Sequence, residues 1–183
     1  LKSDNLKIAR LVITLGSKCS LRCKECDNLM PYFKPQKDLD LHKILASLEV
    51  LSVKADEILS CNLIGGEPFL SDNLYSVLEF LLQKKNVYQV TIGTNGMILP
   101  DKKWIPLLQN KKIKISISDY GTLVDKQKIV DYLEENDVCF EVLDIERWIA
   151  TGGIGKRGRC VQNLQDIYNN CYAGYYCKTL YED

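Results

Sequence analysis

Ile113-Lys114-Ile115-Ser116-Ile117-Ser118 alternates strictly between a branched apolar residue and a polar one. Successive side chains of a strand point to opposite faces, so this stretch predicts a strand that is apolar on one side and polar on the other. A parallel sheet covered by helices on both sides makes both faces apolar. A polar face instead predicts a curved sheet with its helices outside and a concave side that holds something polar. The neighbouring sequence supplies companions for such a strand. Short β-branched runs at 11–15, 58–64, 87–92 and 138–143 read as further strands, about 25 to 30 residues apart after the second. Between them lie helical stripes: Leu41, Ile44, Leu45, Leu48 and Leu51, then Leu74, Val77, Leu78, Leu81 and Leu82, then Ile129, Val130 and Leu133. Residues 104–109 predict a weaker helix kinked by Pro106. The alternation places the chain in the α/β class, as a partial (β/α) barrel of about five to six parallel strands with helices outside.

The 183 residues are 46% apolar and 26% charged, the composition of an ordinary globular chain long enough for one core. Twenty-four Lys plus Arg are balanced by 24 Asp plus Glu. With no net positive field, neither a nucleic acid nor an anionic membrane is an expected partner. No run approaches the roughly 18 apolar residues of a spanning helix. The most apolar N-terminal run, 8–15, is broken by Arg10 and lacks the cleavage site of a signal peptide. These features predict a cytoplasmic protein. Two regions are expected, a core over 1–150 and a cysteine-containing, incomplete extension over 151–183, joined by the glycine-rich stretch 151–158.

Eight cysteines need an account. Cys61 and Cys139 stand in apolar surroundings and are expected to be buried thiols. Cys19, Cys23 and Cys26 crowd into one short loop after the first strand. In a reducing compartment such a cluster reads as metal ligands or catalytic thiols rather than disulfides. Three thiolates can hold three corners of a cubane iron–sulfur cluster and leave the fourth iron open. Structural zinc is the alternative, and it wants a fourth ligand; the one histidine, His42, reads as a solvated helix residue. Gly65-Gly66-Glu67-Pro68 follows the second strand, Thr94-Asn95-Gly96 the third and Ser118-Asp119-Tyr120-Gly121 the fourth. Glycine, proline and Asn-Gly also serve plain turns. In a βα barrel, however, all four segments converge on the rim where chemistry sits.

Taken together, Cys19-Ser20-Leu21-Arg22-Cys23-Lys24-Glu25-Cys26 and Gly65-Gly66-Glu67-Pro68 resemble the cluster-binding loop and the cofactor-binding segment of the radical S-adenosylmethionine (radical SAM) superfamily. The resemblance runs over about residues 8–145 and implies the same partial barrel. It further implies that Cys19, Cys23 and Cys26 hold a [4Fe-4S] cluster whose fourth iron is chelated by S-adenosylmethionine. One electron, from a donor such as flavodoxin or ferredoxin, then cleaves the sulfonium, and the resulting 5′-deoxyadenosyl radical abstracts hydrogen from a substrate. Gly65 and Gly66 would let the backbone approach the methionyl amine. The Glu67 carboxylate or nearby carbonyls would accept its hydrogen bonds, and Pro68 would fix the exit from the strand. Thr94 and Asn95 would line the same cavity, with Ser116, Ser118 and Asp119 placed for the ribose hydroxyls. One position departs from the pattern: many members carry an aromatic residue before the third cysteine to seat the adenine, and here it is Glu25.

The segment from Asn170 resembles the start of a cysteine-rich extension found in peptide- and carbohydrate-modifying members. This implies an auxiliary iron–sulfur cluster on Cys160, Cys171 and Cys177; buried or free thiols are the alternative. Lys178-Thr179-Leu180-Tyr181 reads as a strand. Arg147, Trp148 and the basic, glycine-rich stretch 152–159 lie near the rim, to meet a phosphate or sugar-nucleotide through amides and Arg157 or Arg159, or to serve as a surface connection. The expected function is that of a radical SAM enzyme acting on a carbohydrate, small-molecule or peptide substrate. The alternatives are an activase of a glycyl-radical partner enzyme and a non-catalytic zinc or iron–sulfur binding module.

Overall fold

The computed structural model describes residues 6–24, 26–121, 125–144, 158–170 and 178–180. Among them the regular elements succeed one another as β1 (Lys7–Ile8), β2 (Leu11–Thr14), α1 (Leu41–Lys54), β3 (Glu57–Ile64), α2 (Leu74–Gln83), β4 (Val87–Thr94), α3 (Ile105–Leu108), β5 (Ile113–Asp119), α4 (Gln127–Glu135), β6 (Phe140–Asp144), α5 (Val161–Asn169) and β7 (Lys178–Leu180). Each pairing between these strands is parallel, in the order β6-β5-β4-β3-β2-β7, with β1 beside β3. From β2 to β6 each new strand joins the outer edge of the one before. That is how a βα barrel grows, whereas a doubly wound sheet reverses at a switch point. The fold is therefore α/β, an open partial barrel.

The two faces divide as the alternation predicts. Ile113, Ile115 and Ile117 of β5 are at most 1% exposed. They share one core with Leu63, Ile92 and the inner stripes of the helices, including Ile44 and Leu48 of α1, Leu74, Val77, Leu78 and Leu81 of α2, and Ile129 and Leu133 of α4. On the opposite face the register aligns Val12, Asn62, Thr91 and Lys114 in one row, and Gly93, Ser116 and Glu141 in the next. This polar face carries an ion pair, Lys114 Nζ to Glu141 Oε2 at 2.8 Å. Helix α1 begins where Asp40 Oδ1 accepts from the amides of His42 and Lys43, satisfying two donors of the first turn.

Two expectations are corrected. Pro106 kinks nothing: a 3₁₀ turn, Lys102–Trp104, leads into α3, and the proline stands in its first turn, where a missing N–H loses no partner. Cys139 is exposed rather than buried, because β6 starts one residue later and Cys139 serves the sheet only through its carbonyl, which accepts from Ile115 N at 2.9 Å. Cys61 is fully buried as expected, and burial pushes its thiol up to about 12. His42 is exposed on α1. Strand β7, from the C-terminal segment, runs beside β2 in the same sheet. No helix among the described residues is long and apolar enough to cross a membrane. Glu25, Arg147, Trp148, Arg157, Cys171, Cys177, and the glycine-rich stretch up to 157, fall outside the described residues.

Candidate functional site

Beyond β2 the chain makes a long loop whose neck is closed by backbone. Ser17 N donates to Lys37 O at 2.8 Å and Leu39 N to Leu15 O at 3.0 Å. Ser17 Oγ accepts from Lys37 N at 3.0 Å, and Lys18 Nζ reaches Asp38 Oδ2 at 2.6 Å and Asp72 Oδ2 at 3.0 Å. Cys19, Cys23 and Cys26 leave this anchored neck, each half-buried.

The neck is also laced to the end of β3. Gly66 N donates to Gly16 O at 3.1 Å and Glu67 N to Lys18 O at 2.7 Å. A Cβ on Gly66 would stand 2.0 Å from Lys18 O and 2.8 Å from Cys19 Cβ. Gly65 has φ +156°, and a Cβ there would meet Gly16 O at 2.6 Å. The two glycines are required because two backbones touch, and the backbone on the far side belongs to the cysteine loop.

Glu67 turns inward and is 1% exposed. Its Oε1 accepts from Thr94 Oγ1 at 2.8 Å and Phe69 N at 3.2 Å, and its Oε2 from Asn95 N at 2.9 Å. Burial pushes the carboxyl above the ordinary carboxylate range, partly offset by these three donors. Its folded value exceeds its unfolded one, so stability falls as pH rises through the interval between the two. Glu67→Ala would leave two buried donors, Thr94 Oγ1 and Asn95 N, and the half-buried Phe69 N unpaired. We expect a loss of about 3 kcal/mol in urea denaturation, with Glu67→Gln losing less because one acceptor oxygen survives.

The thiols, the glycines and the ends of β4 and β5 enclose a cavity of about 210 Å³. Cys19, Cys23 and Cys26 form one wall; Gly65, Gly66, Thr94 and Asn95 lie along it, with Ser118 and Tyr120 from the end of β5. Burial pushes the Cys19 and Cys23 thiols up. Among the described residues no three or more His, Cys, Asp or Glu side chains are gathered closely enough to hold a single metal ion. A wall of three soft thiols facing an open cavity has the donor chemistry that suits an iron–sulfur cluster.

Of the residues expected at the site, the structure brings together Cys19, Cys23, Cys26, Gly65, Gly66, Thr94, Asn95 and Ser118. Four stand outside the cavity lining. The Glu67 carboxylate is consumed by internal donors, and Pro68, itself buried, opens a 3₁₀ turn, Pro68–Leu70. Ser116 lies two residues deeper in β5 and is 7% exposed. Asp119 falls on the face opposite Ser116 and Ser118 by strand alternation; its carboxylate accepts from Gly121 N at 2.8 Å and pairs with Lys126. Tyr120 and Gly93 line the cavity without having been singled out for it. For Tyr120 the available signal was its place directly after a strand end. Its hydroxyl is hydrogen-bonded with Ser118, and burial pushes the phenol up. Cys160 is exposed, with its Sγ 2.7 Å from Asn163 Oδ1 at the start of α5.

Comparison with known proteins agrees with this geometry. The family model described as "Radical SAM superfamily" matches residues 13–139. A GTP 3',8-cyclase of Aquifex aeolicus (strain VF5) is 28% identical over 152 residues, covering 77% of this chain and 44% of that protein. The molybdenum cofactor biosynthesis protein moc-5 of Caenorhabditis elegans is 32% identical over 147 residues, covering 75% of this chain and 23% of that protein. The chain thus spans less than half the length of these curated relatives. Among solved structures, native anSMEcpe with bound AdoMet superposes with a TM-score of 0.58 at 20% identity, covering 73% of this chain and 42% of that one. At that identity the likeness bears on the fold.

Proposed function

Because this chain belongs to the radical SAM superfamily, we propose that it carries the catalytic core of an enzyme that cleaves S-adenosylmethionine reductively, with Cys19, Cys23 and Cys26 holding a [4Fe-4S] cluster. The observation that carries the proposal is that Cys19, Cys23 and Cys26 line one cavity together with Gly65 and Gly66. When bound, such a cluster supplies the single electron that breaks the sulfonium and starts hydrogen abstraction. The residues around it do the holding. Peptide groups at Gly65 and Gly66, free of side chains, suit the charged methionyl end, and the hydroxyls of Ser118 and Tyr120 suit the ribose. Glu67 acts behind this wall by fixing Thr94 and Asn95, not by touching the cofactor.

For the substrate, likeness to GTP 3',8-cyclases supports a nucleotide. The polar row Asn62, Thr91 and Lys114 on the open face supplies hydrogen-bonding groups for it. The test is anaerobic reconstitution with iron and sulfide, dithionite reduction, and an assay for 5′-deoxyadenosine with and without GTP. Product that depends on all three cysteines and rises with GTP is the expected result. A cluster that yields no product defeats the proposed activity, and product indifferent to GTP defeats the nucleotide assignment alone.

A further inference from the structure

Glu67 is the most deeply buried polar side chain among the described residues, yet it does not line the cavity. What it holds is Asn95. Glu67 Oε2 takes the Asn95 amide, while Glu67 Oε1 takes the hydroxyl of Thr94, which in turn accepts from Gly96 N at 3.1 Å. The main chain of Asn95 is therefore pinned on both sides. Its side chain is oriented as well: Oδ1 accepts from Met97 N at 3.0 Å and from Ser20 Oγ at 3.4 Å, and the NH₂ end donates toward the cysteine loop. There Nδ2 lies 3.0 Å from Ser20 Oγ and 3.9 Å from Cys19 Sγ.

We propose that Asn95 is a positioning residue for the Cys19 sulfur, a carboxamide donor held in place by Glu67 that joins the Leu21 amide, 3.4 Å from the same sulfur, in raising the reduction potential of the cluster. The proposal rests on the cluster reading given above. A donor near a ligating sulfur draws charge from it and favours the reduced, more negative cluster, so losing the donor lowers the potential. No other direct contact of the Asn95 side chain requires a cluster, which makes the potential a readout that a purely structural role would not move.

The experiment is a potentiometric titration of the reconstituted protein, followed by electron paramagnetic resonance and without S-adenosylmethionine. Asn95→Ala is expected to shift the equilibrium about tenfold against the reduced cluster, about 59 mV for one electron. Asn95→Asp, equal in shape but presenting an acceptor to the sulfur, is expected to shift it further in the same direction. Ser20→Ala, at an exposed position, removes the competing contact and is expected to leave the potential unshifted or raised. Potentials of Asn95→Ala and Asn95→Asp within about threefold of wild type in the equilibrium would overturn the proposal. So would a Ser20→Ala protein whose potential falls as far as that of Asn95→Ala. Should the wild-type protein itself assemble no [4Fe-4S] cluster, the cluster reading fails with it, an outcome visible before any variant is compared.

Discussion

Alanine at position 23 is expected to abolish cluster assembly while leaving the folded barrel in place. Cys23 stands on the cavity wall, half-buried, and is absent from the hydrophobic core that joins the sheet to its helices. Truncating its side chain removes one of three thiols and little packing. Two thiolates cannot hold the three irons that such a loop anchors, so iron and sulfide bound per chain after reconstitution should fall to background. Circular dichroism and the urea midpoint should stay near wild type. Cys61→Ala is the matching control. It deletes a fully buried sulfur under the sheet and should cost about 1 kcal/mol or more of stability, with cluster content unchanged. A Cys23→Ala protein that still assembles a full cluster would refute the ligand assignment.

The second large effect is expected from Gly66→Ala. An alanine Cβ there would stand 2.0 Å from Lys18 O and 2.5 Å from Lys18 C. Both are backbone atoms in a neck held by several hydrogen bonds, so they cannot turn aside as a side chain would. The neck must lift from β3, and the bonds from Gly66 N to Gly16 O and from Glu67 N to Lys18 O go with it. We expect a loss of about 3 kcal/mol or more, together with failure to retain a cluster, because Cys19 moves with Lys18. By contrast, a Cβ on Gly93, also in the cavity lining, meets nothing closer than 3.6 Å, and Gly93→Ala should be tolerated in urea denaturation. If Gly66→Ala matched Gly93→Ala in stability and cluster content, close backbone packing would not be the reason for the glycine.

These effects arise from features that differ in how far they can be read along the chain. The alternation at 113–118, the helical stripes and the cysteine spacing are local periods, and each appears in the structure as an element or a loop within a residue or two of its expected bounds. Local period is legible because it is set by backbone geometry alone. The convergence of the cysteine loop, Gly65-Gly66, Asn95 and Ser118 followed from parallel strand order, once the alternation had identified a barrel.

Which way a side chain turns at a strand end is another matter. Asp119 stood in sequence beside Ser118, but one step along a strand reverses the face, and Lys126 from the start of the next helix took its carboxylate. Glu67 was expected to be open to a ligand amine; donors from residues 94 and 95, on a different strand, drew it into the interior. Cys139 had apolar neighbours in sequence, yet no element among the described residues covers it. Sequence by itself therefore determined the fold class, the thiol loop and the rim where the segments meet, since these depend on periods and strand order. Only the tertiary structure decided that the glycines serve a contact between two backbones, that the Glu67 carboxylate turns inward to Thr94 and Asn95, and that Asn95 Nδ2 lies 3.9 Å from Cys19 Sγ. Those facts depend on atoms far apart in the chain that meet only after the strands have paired.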